Sequence, residues 1–165
     1  MSLQVDDQVE GIDFAFAAYR VDGVWHLDEL ADTALHDLDA LVAGLRRFPS
    51  EAGTLGLLAI DEDFFLLVRV SGSSVRVLLS DVTAAEEWEL AQEAVDLLGL
   101  PQPDDDEGSV PAGDLAIVAD LGMRAPEMGV LLDDVELYPD EMLSDIAGRL
   151  GFGELFDEAA GISDE

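Results

Sequence analysis

The chain contains no cysteine and no lysine. Without cysteine there can be no disulfide, no thiolate zinc site and no thiol nucleophile. Without lysine, a glycine-rich phosphate loop ending in Lys cannot be built. All seven bases are arginines, and they stand against 38 Asp and Glu, a formal net charge of −31 over 165 residues. A surface of that sign repels phosphates and anionic lipid, and no basic stripe exists to collect them, so direct binding to nucleic acid or to a membrane is not expected. A basic partner is favoured, although the same charge would also serve solubility alone. No apolar run approaches the roughly 20 residues of a membrane span. The opening MSLQVDDQVEG lacks a basic region and an apolar core. No signal peptide is expected, and a cytoplasmic location follows.

With 49% hydrophobic residues the chain is globular rather than an acidic disordered tail. Its length suits one domain burying about two-thirds of the unfolded surface. The organising stretch is TLGLLAIDEDFFLLVRVSGSSVRVLLSDV, Thr54 to Val82. Three apolar runs are separated by polar breaks at Asp61-Glu62 and Ser71-Gly72-Ser73, which predicts a three-stranded antiparallel meander. Alternation puts Phe64, Leu66, Val68 and Val70 on one face and Phe65, Leu67 and Arg69 on the other. The middle strand therefore needs cover on both sides.

Residues 1 to 10 are polar and expected to fray. From Gly11, IDFAFAAY alternates, with Ile12, Phe14, Phe16 and Ala18 on one face and Asp13, Ala15, Ala17 and Tyr19 on the other. Val21-Asp22-Gly23 predicts a turn and Val24 to Leu27 a short returning strand. Apolar residues from Leu27 to Leu45 recur at helical spacing, predicting a helix from Asp28 to Arg47 that covers one sheet face, with Arg46-Arg47 suiting its dipole and Pro49 stopping it. After the meander, Thr83 and Glu86 have capping-box spacing, and Trp88, Ala91, Val95 and Leu98 form a helical stripe ended by Gly99 and Pro101. This second helix is expected to cover the other face.

Residues 101–113, PQPDDDEGSVPAG, read as an acidic linker. Beyond it lie short apolar-periodic pieces bounded by Pro or Gly, with Pro126 and Pro139 at first-turn positions and a stripe of Met142, Leu143, Ile146 and Leu150. Leu115 to Leu121 fits either a helical piece or an extra strand. The expected fold is α+β: a five-stranded antiparallel sheet over 11–100, the linker, and a C-terminal helical appendage over 114–160 on the same domain. The strand-strand-helix-three strands-helix order matches profilin-like folds such as the longin and roadblock domains by analogy, and such folds often serve as interaction modules.

Chemistry-bearing motifs are few. The zinc deaminase signature needs paired cysteines and is excluded. His26 and His36 lie ten residues apart, on a strand and a helix, and share no ligand spacing. Asp104, Asp105, Asp106 and Glu107 could attract a hard cation, but the glycine of a calcium loop is misplaced and its twelfth position is Leu115. Catalytic carboxylate pairs cannot be singled out among 38 acids. Ser71, Ser73 and Ser74 read as turn residues. Arg69 and Arg76 interrupt apolar strands, and sharing a face with Asp13 and Tyr19 is expected of them; pairing with carboxylates is their first reading, an anion site the second. No catalytic residue, cofactor or metal site is assigned.

The opening GIDFAFAAYRVDGVW, the acidic link and the ending VLLDDVELYPDEMLSDIAGRLGFGELFD resemble the tRNA adenosine deaminase-associated protein family of actinobacteria, over nearly the whole chain. The resemblance implies a partner, not a mechanism. Together with the charge it leads to a non-enzymatic accessory protein that binds a tRNA adenosine deaminase in a tRNA modification context. The expected contacts are Asp104, Asp105, Asp106, Glu107, Asp133, Asp134, Glu136, Asp140, Glu141 and Asp145. The alternatives are a nucleic-acid mimic that inhibits a basic protein, a carboxylate- or metal-dependent enzyme, and a structural module without a charged partner. An edge strand near Trp25 offers a route to homodimers through sheet pairing.

Overall fold

The computed structural model describes residues 12–30, 32–35, 37–48, 53–60, 64–72, 74–83, 88–99, 111–134 and 136–161. The frayed start, the Asp61-Glu62 break, Pro49, His36, Glu86, Pro101 and the acids 104–107 lie outside these residues.

The fold is α+β. Strands β1 (Ile12–Val21), β2 (Val24–Glu29), β3 (Thr54–Ile60), β4 (Phe64–Ser71), β5 (Ser74–Leu79) and β6 (Ala112–Gly113) form one antiparallel sheet in the order β2-β1-β3-β4-β5-β6. The sheet has six strands, not the expected five. The sixth is two residues long, too short for alternation to register, and sits at the end of the stretch read as linker.

Asp22 and Gly23 both adopt positive φ (54° and 78°), so Val21 pairs with Val24 across a two-residue turn whose twist suits the strands. The β1 alternation slips once. A bulge between Ile12 and Phe14 turns Ile12 towards Ala15 and Ala17, away from Phe14, Phe16 and Ala18.

The predicted Asp28–Arg47 helix is three elements. Asp28 and Glu29 extend β2, Asp32–Leu35 make a single 3₁₀ turn, and α1 spans Leu38–Arg46. Asp37 divides them, because its extended backbone and a side chain that accepts the Ala40 N–H at 2.7 Å begin a new helix. Helix α2 (Glu89–Leu97) likewise starts later than the Thr83 spacing predicted. The Thr83 hydroxyl donates to Asp81 at 2.6 Å, and Trp88 occupies the cap position.

Both α1 and α2 cover the same face, packing Leu38, Leu41, Leu45, Leu90, Ala91, Ala94 and Val95 onto Phe64, Leu66, Val68 and Val70. The expectation that α2 covers the second face is overturned. That face is covered by the C-terminal segment, α3 (Ala125–Leu132), α4 (Pro139–Leu150) and α5 (Gly153–Ala160), which bring Met128, Leu131, Leu143, Ile146, Leu150, Phe152 and Phe156 onto Phe16, Leu57, Phe65 and Leu67. The result is a helix–sheet–helix sandwich with two apolar layers. Pro126 and Pro139 sit in the first turns of α3 and α4, as predicted. Leu115 to Leu121 is a turn ending in a short 3₁₀ segment, not a strand.

Candidate functional site

Arg69 on β4 and Arg76 on β5 are direct cross-strand neighbours. Like charges in that position repel, and a buried guanidinium needs its donors satisfied. The segment from Asp114 to Asp120 supplies what they need. Asp120 takes both terminal nitrogens of Arg69, at 2.5 and 2.8 Å, and the Ile117 carbonyl accepts a third bond at 2.8 Å. Asp114 accepts from Arg76 Nε at 2.7 Å, and the Ala116 carbonyl from its Nη2 at 2.8 Å. The Arg69 hydrogen bond holds the Asp120 carboxyl below the usual carboxylate range.

Carboxylate pairing of these arginines is thus observed, but the shared face with Tyr19 is not. Arg69 points to the α3–α5 side, whereas Tyr19 lies on the α1 side, its ring 5.0 Å from Phe48 and stacked 5.3 Å from His26. An open groove of about 460 Å³ beside the arginines is lined by Arg69, Arg76, Ser71, Ser74 and Asp120. Each guanidinium already holds a carboxylate, so the site's first chemistry is to fasten the chain after the linker to the sheet.

His26 is an exposed strand residue stacked on Tyr19, whose hydroxyl donates to Asp28 at 2.5 Å. Among the described residues no three or more His, Asp or Glu side chains are grouped to hold a metal ion.

The remaining expected contacts gather around α3 and α4. Asp133 caps the end of α3, Asp134 accepts the Glu136 N–H at 3.1 Å, and Glu141 accepts the Tyr138 N–H at 3.1 Å at the start of α4. Asp140 lies in the first turn of α4, and Asp145 pairs with Arg149 at 2.9 Å. All but the half-exposed Asp140 are exposed. Glu127 joins them: one oxygen caps the Arg124 N–H at 3.2 Å and the other accepts from Arg149 at 2.8 Å. Arg149 therefore ties α3 to α4, and its hydrogen bond to Asp145 is the foremost reason its charged form is strengthened.

Between the two helices lies a groove of about 380 Å³ lined by Glu127, Val130, Leu131, Asp134, Leu137, Asp145 and Arg149. Val130 is 72% exposed, and Tyr138, next to Leu137, is 60% exposed. Neither was singled out in the sequence. The signal was present in α3 itself, where APEMGVLL carries one charge in a chain that is 27% charged.

The model of a family described as Rv3753c-like tRNA adenosine deaminase-associated protein matches residues 13–153. Protein Rv3753c of Mycobacterium tuberculosis is 38% identical over 144 residues, covering 86% of this chain and 83% of that protein. No solved structure matches the chain.

Proposed function

Because the chain belongs to the Rv3753c-like tRNA adenosine deaminase-associated protein family, we propose that it is a non-enzymatic acidic accessory protein that binds and modulates a tRNA adenosine deaminase. The family's name supplies the association. The observation that carries the physical side is the net charge of −31, with Asp133, Asp134, Glu136, Asp140, Glu141 and Asp145 collected on the α3–α4 side. An enzyme that acts on tRNA presents a basic surface, and a domain of this charge is drawn to it at low ionic strength. The acids 104–107 complete the proposed contact set. The place of action is the cytoplasm; among the described residues no helix is long and apolar enough to cross a membrane. Homodimers through β2 are the weaker reading, since two copies that each carry a net charge of −31 repel one another.

Light scattering coupled to size exclusion tests the reading on the purified protein mixed with the deaminase of the same organism, at low and at moderate salt. A complex that weakens with salt is expected. Two separate peaks at both salts overturn direct association. Adding tRNA to the complex separates accessory binding from nucleic-acid mimicry, because a mimic is displaced and an accessory protein need not be.

A further inference from the structure

We propose that the α3–α4 groove receives an apolar side chain presented by a basic segment of the partner protein, with Val130 and Leu137 as its apolar walls. The basic character of the partner rests on the accessory reading above; the groove itself rests on geometry.

A helix with apolar residues on every side is normally buried on every side. In α3, Met128 and Leu131 are turned into the core while Val130 faces solvent. A single exposed valine is ordinary on a protein surface. Here Val130, Leu131 and Leu137 share one concavity, and its rim is acidic. Glu127, Asp134 and Asp145 line it, and its one cation, Arg149, is already bonded to two of them. Asp133 and Glu136 extend the negative edge along the loop between the helices.

The complement of such a surface is a Leu, Ile or Met flanked by Lys or Arg. The apolar anchor leaves water in the groove and the cations meet the rim, the usual division between the centre and edge of a protein interface. A second copy of this chain is a poor occupant, because two molecules at −31 repel.

The test uses the full chain and a synthetic helical peptide of lysine and leucine, followed by titration calorimetry at fixed salt. The decisive variant is Val130→Glu, which removes the apolar wall and adds charge of the attracting sign. Val24→Glu makes the same change at an exposed valine on β2 that is not among the residues lining the groove. Groove docking predicts that Val130→Glu binds the peptide at least tenfold more weakly while Val24→Glu binds as well as the native protein or better. Equal or tighter binding by Val130→Glu overturns the proposal, as does a native protein that does not bind the peptide. Circular dichroism verifies that both variants fold, as expected for positions so exposed. Repeating the titration with the deaminase separates the two readings. A deaminase that binds native protein and Val130→Glu alike removes the groove and keeps the accessory role. A deaminase that binds neither, with the peptide result intact, keeps the groove and removes the deaminase as its partner.

Discussion

Arg69 and Arg76 face each other directly across β4 and β5, and each is held by a carboxylate from one short segment, Asp120 for the first and Asp114 for the second. Two like charges in that register would drive the strands apart. Their neutralisation requires the chain to return to the sheet immediately after β6, so the arginine pair and the sixth strand are one device. It fixes where the C-terminal helical segment begins and how α3 and α4 are presented.

Asp120→Ala should therefore destabilise the protein more than a surface change would. Arg69 is 5% exposed, so it loses its bidentate partner largely out of water. Asp120 is itself 59% exposed, and the Ile117 carbonyl remains bonded to Arg69, so the cost falls below the about 3–5 kcal/mol of a fully buried broken pair. A loss of about 1–2 kcal/mol is expected. In urea this reads as a lower midpoint at unchanged slope. Arg69→Met combined with Asp120→Ala should recover part of the loss, because it also relieves Arg76 of its like-charged neighbour.

Stability should peak in mildly acidic solution. The folded Asp120 carboxyl lies below its ordinary value, so its contribution is complete above the unfolded carboxylate pKa of about 3.9 and disappears as pH falls through the lower folded value. Glu93 behaves oppositely. Burial foremost, and then Asp37, Asp39 and Glu89, raise it against the hydrogen bond from the Leu38 N–H. The folded state thus holds that proton more tightly, and stability declines as pH rises from about 4.3 through the raised folded value. Glu93→Gln keeps an acceptor for Leu38 and should flatten the decline towards neutral pH, with a gain of about 0.5 kcal/mol near pH 7. Melting temperatures between pH 3 and 7.5 check both arms; parallel curves for the native protein and the variant would refute the role given to Glu93.

The alternation of Phe64 to Val70 was legible because a strand apolar on both sides must be central, and its two faces are those expected. What covers each face was not legible. The stripes of α1 and α2 state that each is buried on one side, but a stripe does not say which of two equivalent apolar faces it meets. Nor could alternation detect β6, whose two residues are held by the β5 backbone and by the Asp114–Arg76 bond that follows. The bulge at Asp13 reversed Ile12 for the same reason: one added residue shifts the period without changing composition. On the α3–α4 side, the acids were visible as charge, whereas Val130 and Tyr138 became a surface feature only once Met128 and Leu131 were seen to face inward.

Gly113→Ala should detach the sixth strand. Gly113 has φ of +121°, a conformation that side chains rarely adopt, and an added Cβ would collide with the Val77 carbonyl. The strain is of the order of 1–3 kcal/mol before the collision is counted. The Asp114 N–H donates to that same carbonyl at 3.0 Å. Hydrogen exchange at Asp114 should accelerate in the variant while the amides of β3 and β4 stay protected; unchanged protection at Asp114 would show that β6 does not depend on this glycine.

Arg149→Met should separate stability from recognition. Both of its ion pairs are well exposed, and pairs of that kind contribute about 0.3–0.5 kcal/mol each, so the fold should lose no more than about 1 kcal/mol. The groove, however, changes character. Glu127 and Asp145 lose the cation they share, and the net charge moves from −31 to −32, since one positive group is removed. A basic partner should bind about threefold to fivefold more tightly at low salt, on the order of 1 kcal/mol for one unit charge at contact distance in water, and the gain should fade as salt is raised. Asp134→Asn, on the same rim, should act in the opposite direction. Weaker binding by Arg149→Met would mean that the arginine itself meets the partner, and that the segment entering the groove carries acid rather than base.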